Sequence, residues 1–297
     1  MNKKQYCSKK HLFFYAVFFL SISNCRVHNT TEHASSYNLK SPNRTWQLPN
    51  VLREISGITM LHNSTIGNMK VACIQDEKGI LFQYNLDKSS IVVQDTFYLN
   101  GDYEGIAYVQ EDIYVLRSDG LIIEIKNAIQ GEKKIQTYVT NIPAADNEGL
   151  CYDEKNNRLL IACKSKRGQN TEDKNKRMVY AFDLYNKTTT IDPVFIFDAT
   201  EVIKFIYEKH KITLPAIKFN PSEIAIHPLS GKLYLLSATA HLLCIYSKEG
   251  LLEHAEMLDP ILFKQPEGIT FFDNGDMLIS NEGKDKSATL LLFAYKK

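Results

Sequence analysis

No charge of one sign dominates this sequence: 35 Lys and Arg stand against 34 Asp and Glu in 297 residues. Composition therefore gives no support to a nucleic-acid partner. A glycine-rich phosphate loop is missing, which argues against nucleotide chemistry. Also missing is the G-x-S-x-G turn of serine hydrolases. The six cysteines follow no zinc-ligand spacing. Cys73, Cys151, Cys163 and Cys244 each fall in an apolar, strand-like run and are expected as buried thiols that pack as small apolar side chains. A disulfide is possible in an exported protein, but the sequence alone does not pair them. Long apolar runs are absent beyond the first 25 residues. The remaining runs are short and alternate with polar residues, the pattern of strands. With 44% apolar residues the chain can bury a substantial core, in one large domain or two small ones.

The start of the chain differs. "MNKKQYCSKK" is basic, and "HLFFYAVFFLSIS" is a short apolar run that ends in "NC" at Cys25. Residues 1–24 read as a lipoprotein-type signal peptide: a charged segment, then an apolar one too short to span a bilayer comfortably. Ile22, three positions before Cys25, resembles the first residue of a bacterial lipobox, and Asn24 departs from the small residue usual before the cysteine. In this reading Cys25 is lipidated and anchors the exported chain to a bacterial envelope membrane. Ordinary secretion and an uncleaved anchor are the alternatives. Residues 25–43 are polar and weakly patterned, and read as a flexible tether.

From residue 44 a repeat appears. Aligning the glycine of "EGI" places five segments in one frame: "EISGIT" at Glu54, "DYEGIA" at Asp102, "DNEGLC" at Asp146, "NPSEIA" at Asn220 and "QPEGIT" at Gln265. Their starts lie 48, 44, 74 and 45 residues apart. Three of these intervals suit one four-stranded propeller blade. Each motif begins a strand, followed by a turn signal and further alternating strands. The fifth unit runs out of chain after its third strand, while "RTWQLP" precedes the first motif as a spare strand. The expected fold is all-β: a five-bladed propeller over 44–297, closed by an N-terminal strand in the last blade, which leaves no unpaired edge. The long interval holds a charged run, "KSKRGQNTEDKNKR", expected as a solvated loop, and "ATEVIKFIYEKHKI". In the latter, Val202, Phe205, Ile206 and Ile212 suggest an amphipathic helix on the outside of the ring.

Two columns of the motif carry the chemistry. The first holds Glu54, Asp102, Asp146, Asn220 and Gln265; the second holds Ser56, Glu104, Glu148, Ser222 and Glu267. Every member has a side-chain oxygen, and positions two apart in a strand face one way. The residues between them share no chemistry. On inner strands, Glu104, Glu148 and Glu267 would meet at one mouth of a central channel. Carboxylates that close must share protons, pair with cations or hold a metal. An all-oxygen set suits calcium better than zinc. Capping of backbone amides at strand ends is the structural alternative. The second strands end on the same rim and bring Asp76, Glu77, Arg117, Asp119, Lys164, Asn281 and Glu282. The same segments also read as ordinary turns.

Five stretches, "LREISGIT…CIQDEKGILFQYNL", "GDYEGIAYVQEDIYVLRSDG", "NEGLCYD…RLLIACK", "NPSEIAIHPLSGKLYLLSA" and "QPEGITFFDNGDMLISNEGK", together resemble the SdiA-regulated, YjiK-like family over about Trp46 to Tyr295. The resemblance implies a five-bladed propeller distantly related to NHL-repeat propellers, with a calcium site in at least one relative. It implies no particular activity. Calcium-dependent propeller hydrolases of the gluconolactonase and paraoxonase kind are more distantly similar. They also place a glutamate near the start of an inner strand, where Glu104, Glu148 and Glu267 stand. They add amide ligands, for which only Asn220 and Gln265 are available in the columns.

The expected function is an envelope-anchored, calcium-containing binding or scaffold module, monomeric, with a small molecule or an envelope protein as partner. The alternative is a calcium-dependent lactonase or esterase acting at the channel. His227 and His241, in or beside turns, are expected to be structural.

Overall fold

The alternating segments form strands that pair antiparallel in chain order. The computed structural model describes residues 36–61, 69–166, 174–214 and 216–296, all within the compact unit Ala34–Lys297. The signal segment, Cys25 and the first part of the tether lie outside them. The first strand, β1 (Arg44–Gln47), belongs to the last sheet. Blade 1 comprises β2 (Ile55–Met60), β3 (Lys70–Gln75), β4 (Ile80–Asn85) and β5 (Ser90–Thr96). Blade 2 comprises β6 (Tyr103–Val109), β7 (Asp112–Arg117), β8 (Leu121–Lys126) and β9 (Lys134–Val139). Blade 3 comprises β10 (Ala144–Asp153), β11 (Arg158–Lys166) and β12 (Lys176–Asp183), with the short β13 (Thr188–Thr189) and β14 (Phe195–Asp198) sharing the outer edge of β12. Blade 4 comprises β15 (Glu223–Ile226), β16 (Leu233–Ser237), β17 (Leu242–Tyr246) and β18 (Leu252–Met257). Blade 5 comprises β19 (Pro266–Phe271), β20 (Met277–Asn281) and β21 (Thr289–Phe293), and β1 completes it by pairing with β21. The fold is therefore the expected five-bladed propeller closed by an N-terminal strand.

The motif strands β2, β6, β10, β15 and β19 touch in that cyclic order, with β19 meeting β2, and so surround the axis. The core lies between blades. Alternate residues of one strand serve opposite interfaces: Val71 and Cys73 pack toward blade 5, Ala72 and Ile74 toward blade 2. Trp46 is buried at the closure, and its indole N–H donates to the Leu86 carbonyl of blade 1 at 2.8 Å. One polar latch crosses blades 2 and 3. Glu124, 1% exposed, accepts hydrogen bonds from Tyr114, Tyr138 and the Lys187 ammonium. Burial alone would raise its carboxyl; the Lys187, Tyr114 and Tyr138 bonds outweigh burial and hold it below the ordinary carboxylate range.

Several details depart from the sequence expectation. The stretch read as a tether is packed over its described part: Tyr37 and Leu39 are buried, and the Tyr37 hydroxyl donates to the Gly275 carbonyl at 2.6 Å. The charged run is partly strand, since β11 continues to Lys166 and β12 begins at Lys176. The helix, α1 (Ala199–His210), stops before Ile212 because Lys211 adopts a left-handed conformation at φ 57°. Asp198 caps its N-terminus by accepting from the Thr200 N–H at 2.8 Å, and Val202 and Ile206 bury against blade 4. Cys73, Cys151, Cys163 and Cys244 are buried free thiols, as expected. His227 is fully buried among Tyr37, Tyr234, Phe271 and Tyr295, a structural place. Among the described residues no helix is long and apolar enough to cross a membrane.

Candidate functional site

The glycine of the motif exists because neighbouring inner strands lie almost in contact. A Cβ on Gly105 would stand 2.6 Å from Leu150 Cβ and 2.8 Å from Leu150 N, and one on Gly149 would stand 2.8 Å from Ile224 N. The residue before the glycine is special for a second reason. In β6, Tyr103 faces Arg117 and Gly105 faces Leu116, so Glu104 is an extra residue with no partner in the ladder. Glu148 is the extra residue between Asn147 and Gly149, and Glu267 between Pro266 and Gly268. Each glutamate thus sits on a β-bulge, a device that re-aims one side chain and frees it from the sheet pattern. The expectation of two same-facing columns in regular strand gives way to this. Three members of the second column sit on bulges, and these bring the three acids near one another.

Lys164, from β11, stands among them. Its ammonium donates to Glu148 Oε1 at 2.5 Å and lies 3.7 Å from Asp146 Oδ2. Burial would lower its pKa, but Glu148 and Asp146 outweigh burial and hold it protonated. The acids respond the opposite way. Burial, then repulsion from Glu148 and Asp102, pushes Glu104 up to about 9. Burial pushes Glu148 up to about 7, with the Lys164 ammonium opposing it. Burial also lifts Glu267 to about 7, against a hydrogen bond from Gln265. One ammonium does not neutralise this many carboxyls, so at neutral pH the mouth holds protons.

A fourth acid joins them. Glu223 is 1% exposed and stands in the glycine position of the fourth copy, where the others have Gly57, Gly105, Gly149 and Gly268. Its Oε1 accepts from Leu150 N at 2.7 Å and from Ile224 N at 2.9 Å. Its Oε2 is buried with no hydrogen-bond partner. Burial holds this carboxyl well above the ordinary range, and Glu148 and Glu104 add to the rise. Glu223 is missing from both oxygen columns because it interrupts the glycine column instead. That interruption is the sequence signal for it.

The other expected site residues divide. Asp102, Asp146 and Gln265 border the acids, and Gln265 also donates to Glu282. Asp76 and Glu282 are raised by burial and by nearby acids, including Glu54 in both cases, which makes a second acidic group on the rim. Glu54 also pairs with Arg53 at 3.5 Å. Ser56 is buried. Ser222 spends its hydroxyl on the Pro266 carbonyl at 2.8 Å, tying β15 to β19. Asn220 accepts from Arg177 at 2.9 Å. Asn281 is buried, and its amide donates toward Leu262 O at 3.4 Å and Thr289 Oγ1 at 3.2 Å. Arg117 and Asp119 close on each other at 2.9 and 2.7 Å, and Asp119 also caps Leu121 N, which is turn chemistry. Glu77 is exposed.

Calcium was expected to be held by Glu104, Glu148, Glu267, Ser56 and Ser222. As placed, this set does not fit calcium. Among the described residues no three His, Cys, Asp or Glu are grouped to hold a metal ion. Ser222 is committed to a carbonyl, and the position between Glu148 and Asp146 is taken by the Lys164 ammonium.

No family model matches the chain, and no curated protein matches it. Solved structures do. The glutaminyl cyclase of Myxococcus xanthus superposes with a TM-score of 0.55 at 12% identity, over 86% of this chain and 95% of that one. A chain of a mitotic checkpoint complex superposes at 0.50 and 8% identity, over 96% and 100%. The WD40 β-propeller domain of Doa1 gives 0.46 and 13%, over 88% and 98%. At such identities the likeness concerns the fold alone.

Proposed function

We propose that this chain is an exported propeller, lipid-anchored at Cys25 and related to the SdiA-regulated, YjiK-like family, that binds a small cationic ligand at its acidic mouth. The observation that carries the reading is the convergence of Glu104, Glu148 and Glu267 on a single ammonium, that of Lys164, with the buried Glu223 beside Glu148 and Glu104. An ammonium is a group this mouth already accepts, and the acids in excess of it can take another. A bound cation lowers the pKa of nearby carboxyls, so binding at neutral pH releases protons.

Calorimetry on the purified chain at pH 7 tests this, with ethylenediamine and calcium chloride titrated in two buffers of different ionisation enthalpy. Saturable diamine binding is expected, with a heat that depends on the buffer and an affinity reduced about tenfold or more in Glu104→Gln and Glu267→Gln. Calcium is expected to bind more weakly. Tight calcium binding would restore the metal reading, and no diamine binding would end the proposal.

A second reading rests on the carboxyls of Glu148 and Glu267. A group poised near pH 7 suits general acid–base work on a lactone or ester. A lactone and ester panel with and without chelator separates the two readings. Turnover that survives chelation and disappears in Glu148→Gln would make the protein a metal-independent hydrolase, and turnover that vanishes with chelator would make it a calcium-dependent one.

A further inference from the structure

The channel has a second end. A cavity of about 750 Å³ opens there, and its lining begins one residue beyond the glycine column. The inner end is walled by Ile58, Ile106, Leu150, Ile224 and Ile269, one equivalent residue from each inner strand, each at most 2% exposed. None of Glu104, Glu148, Glu223, Glu267 or Lys164 lines it. The two mouths are therefore chemically separate, with an aliphatic wall where the acids end.

The volume lies within the roughly 300–1,000 Å³ of ligand pockets, with an aliphatic inner end and a polar outer rim. Two hydroxyls stand beside the aliphatic end. Thr59 Oγ1 accepts from Tyr108 N at 3.3 Å, and Thr270 Oγ1 accepts from Met60 N at 3.2 Å. Each thereby keeps its own proton for another acceptor. Outward, the cavity runs between blades 3 and 4, past Phe195 and Leu233.

Charge at this end cancels. Arg158 closes on Asp153 at 2.8 Å, and Asn156 holds the same carboxylate at 2.7 Å. Lys155 and Lys248 are matched by Glu154 and Asp273. Burial lowers the pKa of His227, which keeps it neutral. Nothing here favours an ion of either sign, unlike the acidic mouth.

We infer that this cavity is a second binding site, for a small uncharged amphipathic molecule seated with its apolar end against the aliphatic wall and its polar end toward Thr59, Thr270 and the rim.

The neutral fluorophore N-phenyl-1-naphthylamine tests it on the full chain. Saturable fluorescence enhancement at one probe per chain is expected. Thr270→Trp, which fills the cavity, should weaken binding at least tenfold, and Thr59→Trp serves as an independent second filling. Both variants are checked by thermal melting, so that lost binding is not lost folding. Glu104→Gln, at the other mouth, should bind the probe as the parent does. No saturable enhancement in the parent would overturn the inference. So would parental affinity in a folded Trp variant, or loss of the probe in Glu104→Gln.

Discussion

Gly105→Val should lower the melting temperature by roughly 6–12 °C, from a loss of about 3 kcal/mol in a domain of this size. The cause is the approach of β6 to β10. A Cβ at Gly105 meets Leu150 Cβ at 2.6 Å, Leu150 N at 2.8 Å and Glu148 O at 2.9 Å. Two of those atoms are backbone, so no rotamer change relieves the overlap, and the two inner strands must separate. Separation also draws the Glu104 bulge of β6 away from Glu148 and Lys164 in blade 3. The loss should therefore appear twice, as lower stability and as weaker diamine binding. Differential scanning calorimetry reads the first directly. A melting temperature within about 2 °C of the parent would mean that the inner strands are not packed as closely as described.

Lys164→Met should destabilise the protein by about 1–2 kcal/mol at pH 8 and hardly at all at pH 5. The ammonium is one third exposed, so solvent screens part of its effect, while its partner Glu148 has only 5% of its side chain exposed. At pH 8 the folded parent holds Glu148 mostly ionised, because its carboxyl lies at about 7. Without Lys164 that carboxylate is buried unpaired, or takes up a proton at a cost that grows with pH. At pH 5 the carboxyl is protonated with or without the lysine, and little is lost.

The sign for the parent follows from the same shifts. Glu148, Glu267 and Glu104 have folded values raised above the unfolded carboxylate, to about 7, about 7 and about 9. Their contribution to stability is full below about pH 4.5 and is lost as pH rises through those values. Glu124 runs the other way. Its lowered carboxyl contributes stability that is present above the unfolded value and lost as acid protonates it. Glu104→Gln serves as the control. It removes a group that is neutral until about pH 9, so it should flatten the alkaline fall without creating an unpaired charge. An equal Lys164→Met penalty at pH 5 and pH 8 would show that the lysine acts through packing rather than charge.

Much of this architecture is legible locally. Strand alternation and turn residues repeat at blade length, and the missing last strand finds its replacement around Trp46, which pairs opposite Leu290. Both are short-range patterns that survive without knowledge of the fold. The acids at Glu104, Glu148 and Glu267 and the cation at Lys164 are legible too, because symmetry around an axis brings equivalent positions together. Their orientation is not. Whether Glu104 faces the axis depends on a ladder register with one residue extra, and a bulge leaves no alternation of its own to read. Glu223 hides for a related reason: a search for repeated oxygens passes over a glutamate that replaces a glycine. The burial of Tyr37 and Leu39 lies in polar surroundings that look unstructured, and their partners, such as Tyr234 and Phe271, come nearly two hundred or more residues later.

The central claim is that bulged glutamates share protons and one lysine at this mouth. Carboxyl carbon NMR of the parent, with labelled glutamate and single Gln variants for assignment, follows each acid from pH 4 to pH 10. Glu148 and Glu267 are expected to titrate near 7 and Glu104 near 9, with chemical shifts unaffected by chelator. Titration of all three near the ordinary value of about 4.5, or a shift of any of them on chelation, would contradict it.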